Sequence, residues 1–279
     1  MTHVAEARMG HVARFFHDIR EGARRQANVI FALIFRELKS RQGVDGYGLL
    51  SLVGVMLEPA LGVIAVSLFW YIFRRQEVLG VHIVLFLAVS FTAFGIVRRS
   101  LSTIPRTVRG NRAFYAFPNI KPFDAVLARF IIEVVLTLMG GIVLLFLLWW
   151  FLDLHIDMRG FLEGMGILGL LSISGLGLSL FLGVYGGRFP VIFKVIGLFS
   201  RVLLICSAVI HPAYELPPEA QKYLAWNPLA HGMELIRLHL LDIPPFPQAS
   251  IEYLAGFAIV SLFLGFIGYY VNRHKVLER

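Results

Sequence analysis

Residues 104–130 read IPRTVRGNRAFYAFPNIKPFDAVLARF. The stretch carries Arg106, Arg109, Arg112, Lys121 and Arg129, three prolines, and the aromatics Phe114, Tyr115, Phe117 and Phe123. Long runs of Leu, Ile, Val, Phe and Gly flank it on both sides. It therefore interrupts a very apolar chain: 57% of the 279 residues are hydrophobic, 16% are charged, and the mean hydropathy is +0.73. Soluble domains run near 45–50% apolar and roughly 25% charged residues. The excess here belongs to membrane spans, not to a large soluble core. The net charge of +8 does not gather on one polar domain, as a nucleic-acid-binding surface would. It falls between the apolar runs, where juxtamembrane charges sit.

Working outward from the basic block, six segments are apolar enough for a bilayer core of ~30 Å, which takes ~20 helical residues. They lie at about 48–72, 80–97, 125–150, 164–185, 190–210 and 253–271. An even number places both termini on one side, and the distribution of Lys and Arg says which. With cytoplasmic termini the inner segments 1–47, 98–124, 186–194 and 272–279 hold 8, 6, 2 and 3 of these residues. The outer segments 73–79, 151–163 and 211–252 hold 2, 1 and 2. The expected fold is an all-α integral membrane protein with a six-span domain over 45–275 and a cytoplasmic tail over 276–279. The opening stretch is then the core of a cytoplasmic loop, 98–124. Topology explains its charge but not its aromatics, which suit a short element that docks a soluble partner. The plainer reading is a basic retention loop touching headgroups.

Residues 1–27 are polar, and no apolar segment follows a short basic start, so insertion is expected to rest on the later spans. Residues 28–44, opening NVIFALIFRELKSR, are amphipathic but too short to span. Ile30, Ile34 and Leu38 recur every four residues, and Arg36, Glu37, Lys39 and Arg41 crowd the far end. That pattern predicts an interfacial helix at the membrane surface or a helix packed on a partner. In the fourth span Gly175, Ser179, Gly183 and Gly187 make a small-residue face on which another helix approaches closely. Within the outer segment 211–250, Pro217–Pro218 opens one short helix. Asn227 caps a second, with Pro228 at its first position and Leu229, Met233, Ile236 and Leu240 on one face. Pro244, Pro245 and Pro247 end it. Two partly apolar helices there predict a re-entrant or interfacial hairpin before the last span.

The motifs of common catalysts are missing. No Gly precedes a Lys, so no phosphate-binding loop of the G-x-x-x-x-G-K-[ST] type is present, nor is G-x-S-x-G or H-E-x-x-H. Cys206 is the one cysteine and reads as a small apolar residue. His231 and His239 could share a helix face, but metal ligation there has no further support. Ionisable residues inside spans are expensive and point to function. Glu58 precedes Pro59, where its carboxylate either satisfies backbone freed by a kink or lines a pathway. Arg129 and Glu133, four apart, read as a local ion pair. Arg201 lies seven residues after Lys194 on a similar face, suiting a conduit for an anionic solute; pairing of Arg201 with Glu58, or snorkelling to headgroups, is the alternative.

The stretches FALIFRELKSR, LEPAL, GNRAFYAFPNIKPFDAVLARFIIE and WNPLAHGMELIR together resemble the permease subunit of type-2 ATP-binding-cassette exporters, and within them the capsular polysaccharide export family. The likeness covers nearly all of residues 28–275. It implies a homodimer of permeases with two separate cytoplasmic ATPase subunits that bind the ATP and Mg, and no cofactor or catalytic residue on this chain. It assigns coupling to the ATPase to Arg36, Arg106, Arg109, Asn111, Arg112 and Phe114. It also implies a lipid-linked polysaccharide substrate, a periplasmic adaptor and an outer-membrane conduit, all served from the bacterial inner membrane. Sugars stack on aromatic rings and acidic glycans need cations, so the conduit candidates are Glu58, Trp149, Trp150, Lys194, Arg201, Tyr214 and Trp226. Trp and Tyr also belt the interface of any membrane protein. Rival readings keep the machine but change the cargo to O-antigen, teichoic acid or a small lipophilic compound. Others make the chain a membrane-embedded transferase or a non-transporting anchor.

Overall fold

The computed structural model describes residues 2–42, 48–73, 76–111, 115, 120–186 and 191–277, with side chains over 15–40, 53–54, 56–73, 76–108, 110–111, 115, 120–186 and 191–272. It is nearly all helix. In chain order the elements are α1 (Thr2–Gln42), α2 (Gly48–Ile72), a small antiparallel hairpin of β1 (Glu77–Val78) and β2 (Val81–His82), α3 (Ile83–Gly110), α4 (Pro122–Leu152) and α5 (Phe161–Gly186). Then come α6 (Val191–Cys206), a 3₁₀ turn (Ala213–Glu215), α7 (Pro218–Leu224), α8 (Pro228–Leu241) and α9 (Ile251–Leu277). The hairpin turns through Leu79 and Gly80, both at positive φ, as a tight two-residue β-turn requires.

Among the described residues four helices are long and apolar enough to cross a membrane: Ile83–Val108, Pro122–Leu152, Phe161–Gly186 and Ile251–Asn272. They match the second, third, fourth and sixth expected spans. The first expected span is the 25-residue α2, of which Met56–Ile72 forms a shorter apolar helix by the same measure. The fifth is α6, 16 residues long.

Two helices outrun the sequence reading. α3 does not stop near residue 97; it continues to Gly110, so the first half of the expected loop 98–124 is helical. Ser100 and Thr107 hydroxyls donate to the carbonyls four residues back, which helical backbone supplies. α1 likewise runs unbroken across the expected boundary at residue 28. Its first half is rich in Ala, Arg and Glu, good helix formers, and Arg25 pairs with Glu21 at 2.6 Å one turn back.

Glycines set how the bundle closes. A Cβ on Gly175 would lie 3.0 Å from Ser100, and one on Gly183 would lie 3.3 Å from the Pro105 backbone. The small face of α5 therefore receives α3 inside the same chain. The opposite face of α5 receives α9. A Cβ on Gly177 would lie 2.4 Å from the backbone of Ser261 and Leu262, and one on Gly265 would lie 2.5 Å from the Gly177 carbonyl. α2 is drawn onto α4 at Gly140, whose added Cβ would meet the Met56 carbonyl at 2.4 Å.

α8 forms as its sequence predicts. The Asn227 side chain accepts from the Leu229 amide at 3.0 Å, Pro228 opens the helix, and Asp242 closes it in a left-handed conformation. Leu229, Met233, Ile236 and Leu240 are all buried. Burial continues around the helix, because α3, α5 and α9 all pack on it.

Candidate functional site

At the end of the bundle where α3 stops and α4 starts, α1 lies along α4 and runs in the same direction. The Gln26 amide donates to Asp124 at 2.9 Å, Leu33 packs with Ala125 and Ala128, and Glu37 meets Arg129. α4 is started by Pro122 and by Asp124, whose carboxylate accepts from the Lys121 amide at 3.0 Å.

From this corner an unbroken series of charges climbs through four helices. Arg36 of α1 donates to the Asn111 side chain just past α3. Its neighbour Glu37 pairs with Arg129 of α4. Arg129 reaches Glu133 one turn on, Nε to Oε1 at 2.9 Å. Glu133 Oε2 lies 3.2 Å from Arg99 Nη1 of α3. Arg99 also pairs with Glu58 of α2, and Glu58 Oε1 lies 2.5 Å from Arg98 Nη1. Glu133 and Arg99 are buried, while the Glu58 and Arg98 side chains are 37% and 48% exposed. Charges taken out of water persist only when paired and hydrogen-bonded. The centre of this ladder meets that condition through Arg99, which bridges two carboxylates from two helices.

Beside the lower rungs lies a cavity of about 530 Å³ whose lining includes Arg36, Glu37, Thr103, Arg106, Asn111 and Arg129. Three of the residues expected to couple to an ATPase, Arg36, Arg106 and Asn111, are thus gathered on one concave surface. Arg106 donates to the Ser102 carbonyl at 2.9 Å and lies 5.9 Å from the Phe193 ring of α6. Arg109 sits in the last turn of α3; its side chain, and all of Arg112 and Phe114, lie outside the described residues.

The expected conduit residues are more dispersed. Glu58 belongs to the ladder, and its carboxylate faces Arg98 and Arg99 instead of Arg201. Lys194 and Arg201 both lie on the exposed side of α6, and among the described residues Arg201 makes no ion pair. Trp149 and Trp150 are exposed at the far end of α4. Trp149 Nε1 donates to His155 Nε2 at 3.0 Å, and Phe146 stacks against Trp150. Tyr214 and Trp226 are exposed beside α7.

Sequence reasoning missed a second buried cation, at the α8 end of the bundle. Arg237 is fully buried. Its Nε donates to Ser90 at 2.8 Å, Nη1 to Glu234 at 2.8 Å, and Nη2 to the Ala208 and Val209 carbonyls at 2.6 and 2.9 Å. The guanidinium lies 4.1 Å from the Phe86 ring. Burial pushes the Arg237 pKa down to about 10 against the pull of Glu234, so the side chain stays a cation at neutral pH. Ala208 and Val209 lie in the turn just past the end of α6, so the cation also sits near the negative end of that helix's dipole. The signal in the sequence was Glu234 and Arg237, three apart on a largely apolar helix. His231 is fixed nearby. Its Nδ1 accepts from the Ser250 amide at 3.0 Å, so the proton is on Nε2, which donates to the Ala225 carbonyl at 2.8 Å. No group of metal-ligating side chains occurs among the described residues.

The sequence profile of the ABC-2 type transporter family matches residues 28–241, a region that contains both the ladder and the Arg237 anchor. The chain belongs to the ABC-2 type transporter family. It is 28% identical over 259 residues to KpsM, a polysialic acid transport protein of Escherichia coli, covering 92% of this chain and 98% of that protein. It is 26% identical over 215 residues to CtrC, a capsule polysaccharide export inner-membrane protein of Neisseria meningitidis, covering 76% of this chain and 78% of that one. BexB of Haemophilus influenzae, named for the same export, is 24% identical over 245 residues, covering 87% and 90%. In this ABC-2 chain the ladder starts at Arg36, in the last two turns of α1, and reaches the middle of α2.

Proposed function

We propose that the chain is the membrane permease of an ATP-driven exporter that moves lipid-linked acidic capsular polysaccharide across the bacterial inner membrane, from cytoplasm to periplasm. The observation that carries this is similarity, over nearly the whole length of both chains, to a polysialic acid transport protein; polysialic acid is itself a polyanion. α2 and α6 join the four long apolar helices as the first and fifth of six spans, and both termini face the cytoplasm, as the Lys and Arg distribution favours. α7 and α8 form a re-entrant hairpin on the periplasmic side.

Two copies assemble with two cytoplasmic ATPases, which carry the ATP and Mg. The ATPases dock at the corner of Arg36, Arg106 and Asn111 and at the neighbouring Arg109, Arg112 and Phe114. This reading is supported by the gathering of the first three around one cavity at the end of the loop richest in basic residues. Lys194 and Arg201, facing outward from α6, and the exposed aromatics Trp149, Trp150, Tyr214 and Trp226 serve the glycan's path, which continues through a periplasmic adaptor and an outer-membrane conduit.

The test is deletion of the gene in its own host, with the full chain returned on a plasmid. Loss of surface capsule with glycan accumulating inside the cell, both reversed by the plasmid, is the expected result. Unchanged capsule, with another envelope glycan lost from the surface, would replace the cargo and keep the machine.

A further inference from the structure

The ladder does more than neutralise buried charge; we infer that it is the mechanical link by which movement at the docking corner reaches α2, with Arg99 as its positioning residue and the Glu58–Pro59 segment as its output. This rests on the ATPase docking proposed above. Four observations lead there. First, the rungs are continuous: Glu37 and Glu133 each meet cations of two helices and Glu58 joins α2 to the adjacent Arg98 and Arg99 of α3, so α1, α4, α3 and α2 cannot shift singly without a rung changing partner. Second, Arg99 is the only described residue that pairs with both the α4 and the α2 carboxylate. A planar guanidinium can grip two carboxylates at once; a single ammonium does so poorly.

Third, the far end meets a weak point in its helix. Pro59 lies inside α2 and has no N–H to return to the carbonyl four residues earlier, so the helix bends there at little cost. One turn before it, the Met56 backbone rests against Gly140 of α4, a close contact that serves as a fulcrum. Fourth, burial is graded. Glu133 and Arg99 are held in the interior, while Glu58 and Arg98 are partly exposed at the surface of the chain. The inner rungs stay paired and the outer rung can exchange its partner, which is the arrangement a transmitting element needs.

The test uses the full chain, assembled with its ATPase in nanodiscs, with Cys206 replaced by serine. A single cysteine carries an environment-sensitive bimane dye, placed at exposed Ala23 of α1 in one preparation and at exposed Leu61 of α2 in another. A non-hydrolysable Mg·ATP analogue is then added. In the otherwise unchanged chain, dye emission shifts at both sites. In Arg99→Lys the Ala23 shift is retained within about twofold, and the Leu61 shift falls at least fivefold. The double variant Arg99→Met/Glu133→Leu, which leaves no buried charge unpaired, shows the same loss at Leu61 although its thermal midpoint recovers.

Should Arg99→Lys not assemble, Glu58→Gln cuts the ladder at its partly exposed end and is expected to give the same split. A full Leu61 shift in Arg99→Lys or Glu58→Gln, or its return in the double variant, would overturn the inference and leave Arg99 a structural residue. A missing Ala23 shift in the unchanged chain would instead overturn the docking reading, and this inference with it.

Discussion

Among the described residues two arginines are buried, and their surroundings are unlike. Arg237 at the α8 end spends its donors on fixed acceptors: one carboxylate, one hydroxyl and two backbone carbonyls, over the face of Phe86. Arg99 at the opposite end spends its donors on two carboxylates, each of which has a second cation to fall back on. The first is a staple that holds α8 to α3 and to the turn that follows α6. The second is a shared bond in a series that can rearrange. A cation tied to backbone holds one structure, whereas a cation traded among carboxylates allows several.

The contrast fails most visibly if Arg237 proves dispensable. Arg237→Met leaves Glu234 buried without its cation, and the expected loss is about 3–5 kcal/mol, seen as a large fall in the thermal midpoint and in yield from the membrane. A variant that melts like the parent would remove the staple from the account. The ladder should respond less. Arg99→Met leaves Glu133 with Arg129 and Glu58 with Arg98, so the expected loss is about 1–2 kcal/mol. A loss as large as that of Arg237→Met would mean that the two sites are the same kind of anchor.

How much of this could be read from the chain differs by feature. The second, third, fourth and sixth apolar runs, the Asn227 cap and the small face of α5 are local patterns, each fixed by a few neighbouring residues. Arg129 with Glu133 was legible for the same reason. Glu37 with Arg129, or Glu58 with Arg99, was not: 92 and 41 positions separate the partners, and the pairing exists only because α1 and α2 come to lie against α4 and α3. The Gly177–Gly265 contact is hidden likewise. Arg237 counted as a loop charge because it lies in the longest polar outer segment, where burial on every side of α8 cannot be foreseen from periodicity. The extra length of α1 reflects helix formers in a largely polar stretch whose apolar residues Phe15, Phe16 and Ile19 stay exposed.

Smaller changes sharpen the comparison. Asn227 caps α8 and also donates to the Cys206 carbonyl and to Ser207. Asn227→Ala should cost about 1 kcal/mol, measured as a modest fall in midpoint; no change would confine the attachment of α8 to Arg237. Least affected is the exposed pair Glu21–Arg25. The arginine beside it lowers the Glu21 pKa from its ordinary value. Its pairing is therefore present above the unfolded-state pKa and lost as pH falls through the lower folded-state one. Glu21→Gln at neutral pH should leave the midpoint unmoved, and in the parent only a slight loss of helical circular dichroism is expected below about pH 4.5. A clear drop in either would show that α1 leans on surface charge more than on its packing against α4.

The most direct measurement is ATP hydrolysis in liposomes that hold this chain with its cognate ATPase, compared with the same preparation carrying Arg109→Glu and Arg112→Glu. The account predicts that the unmodified pair assembles and hydrolyses ATP at a rate that depends on the permease, and that the charge reversals abolish this dependence without removing the chain from the membrane. An ATPase that does not bind, or a rate the reversals leave unchanged, would contradict it.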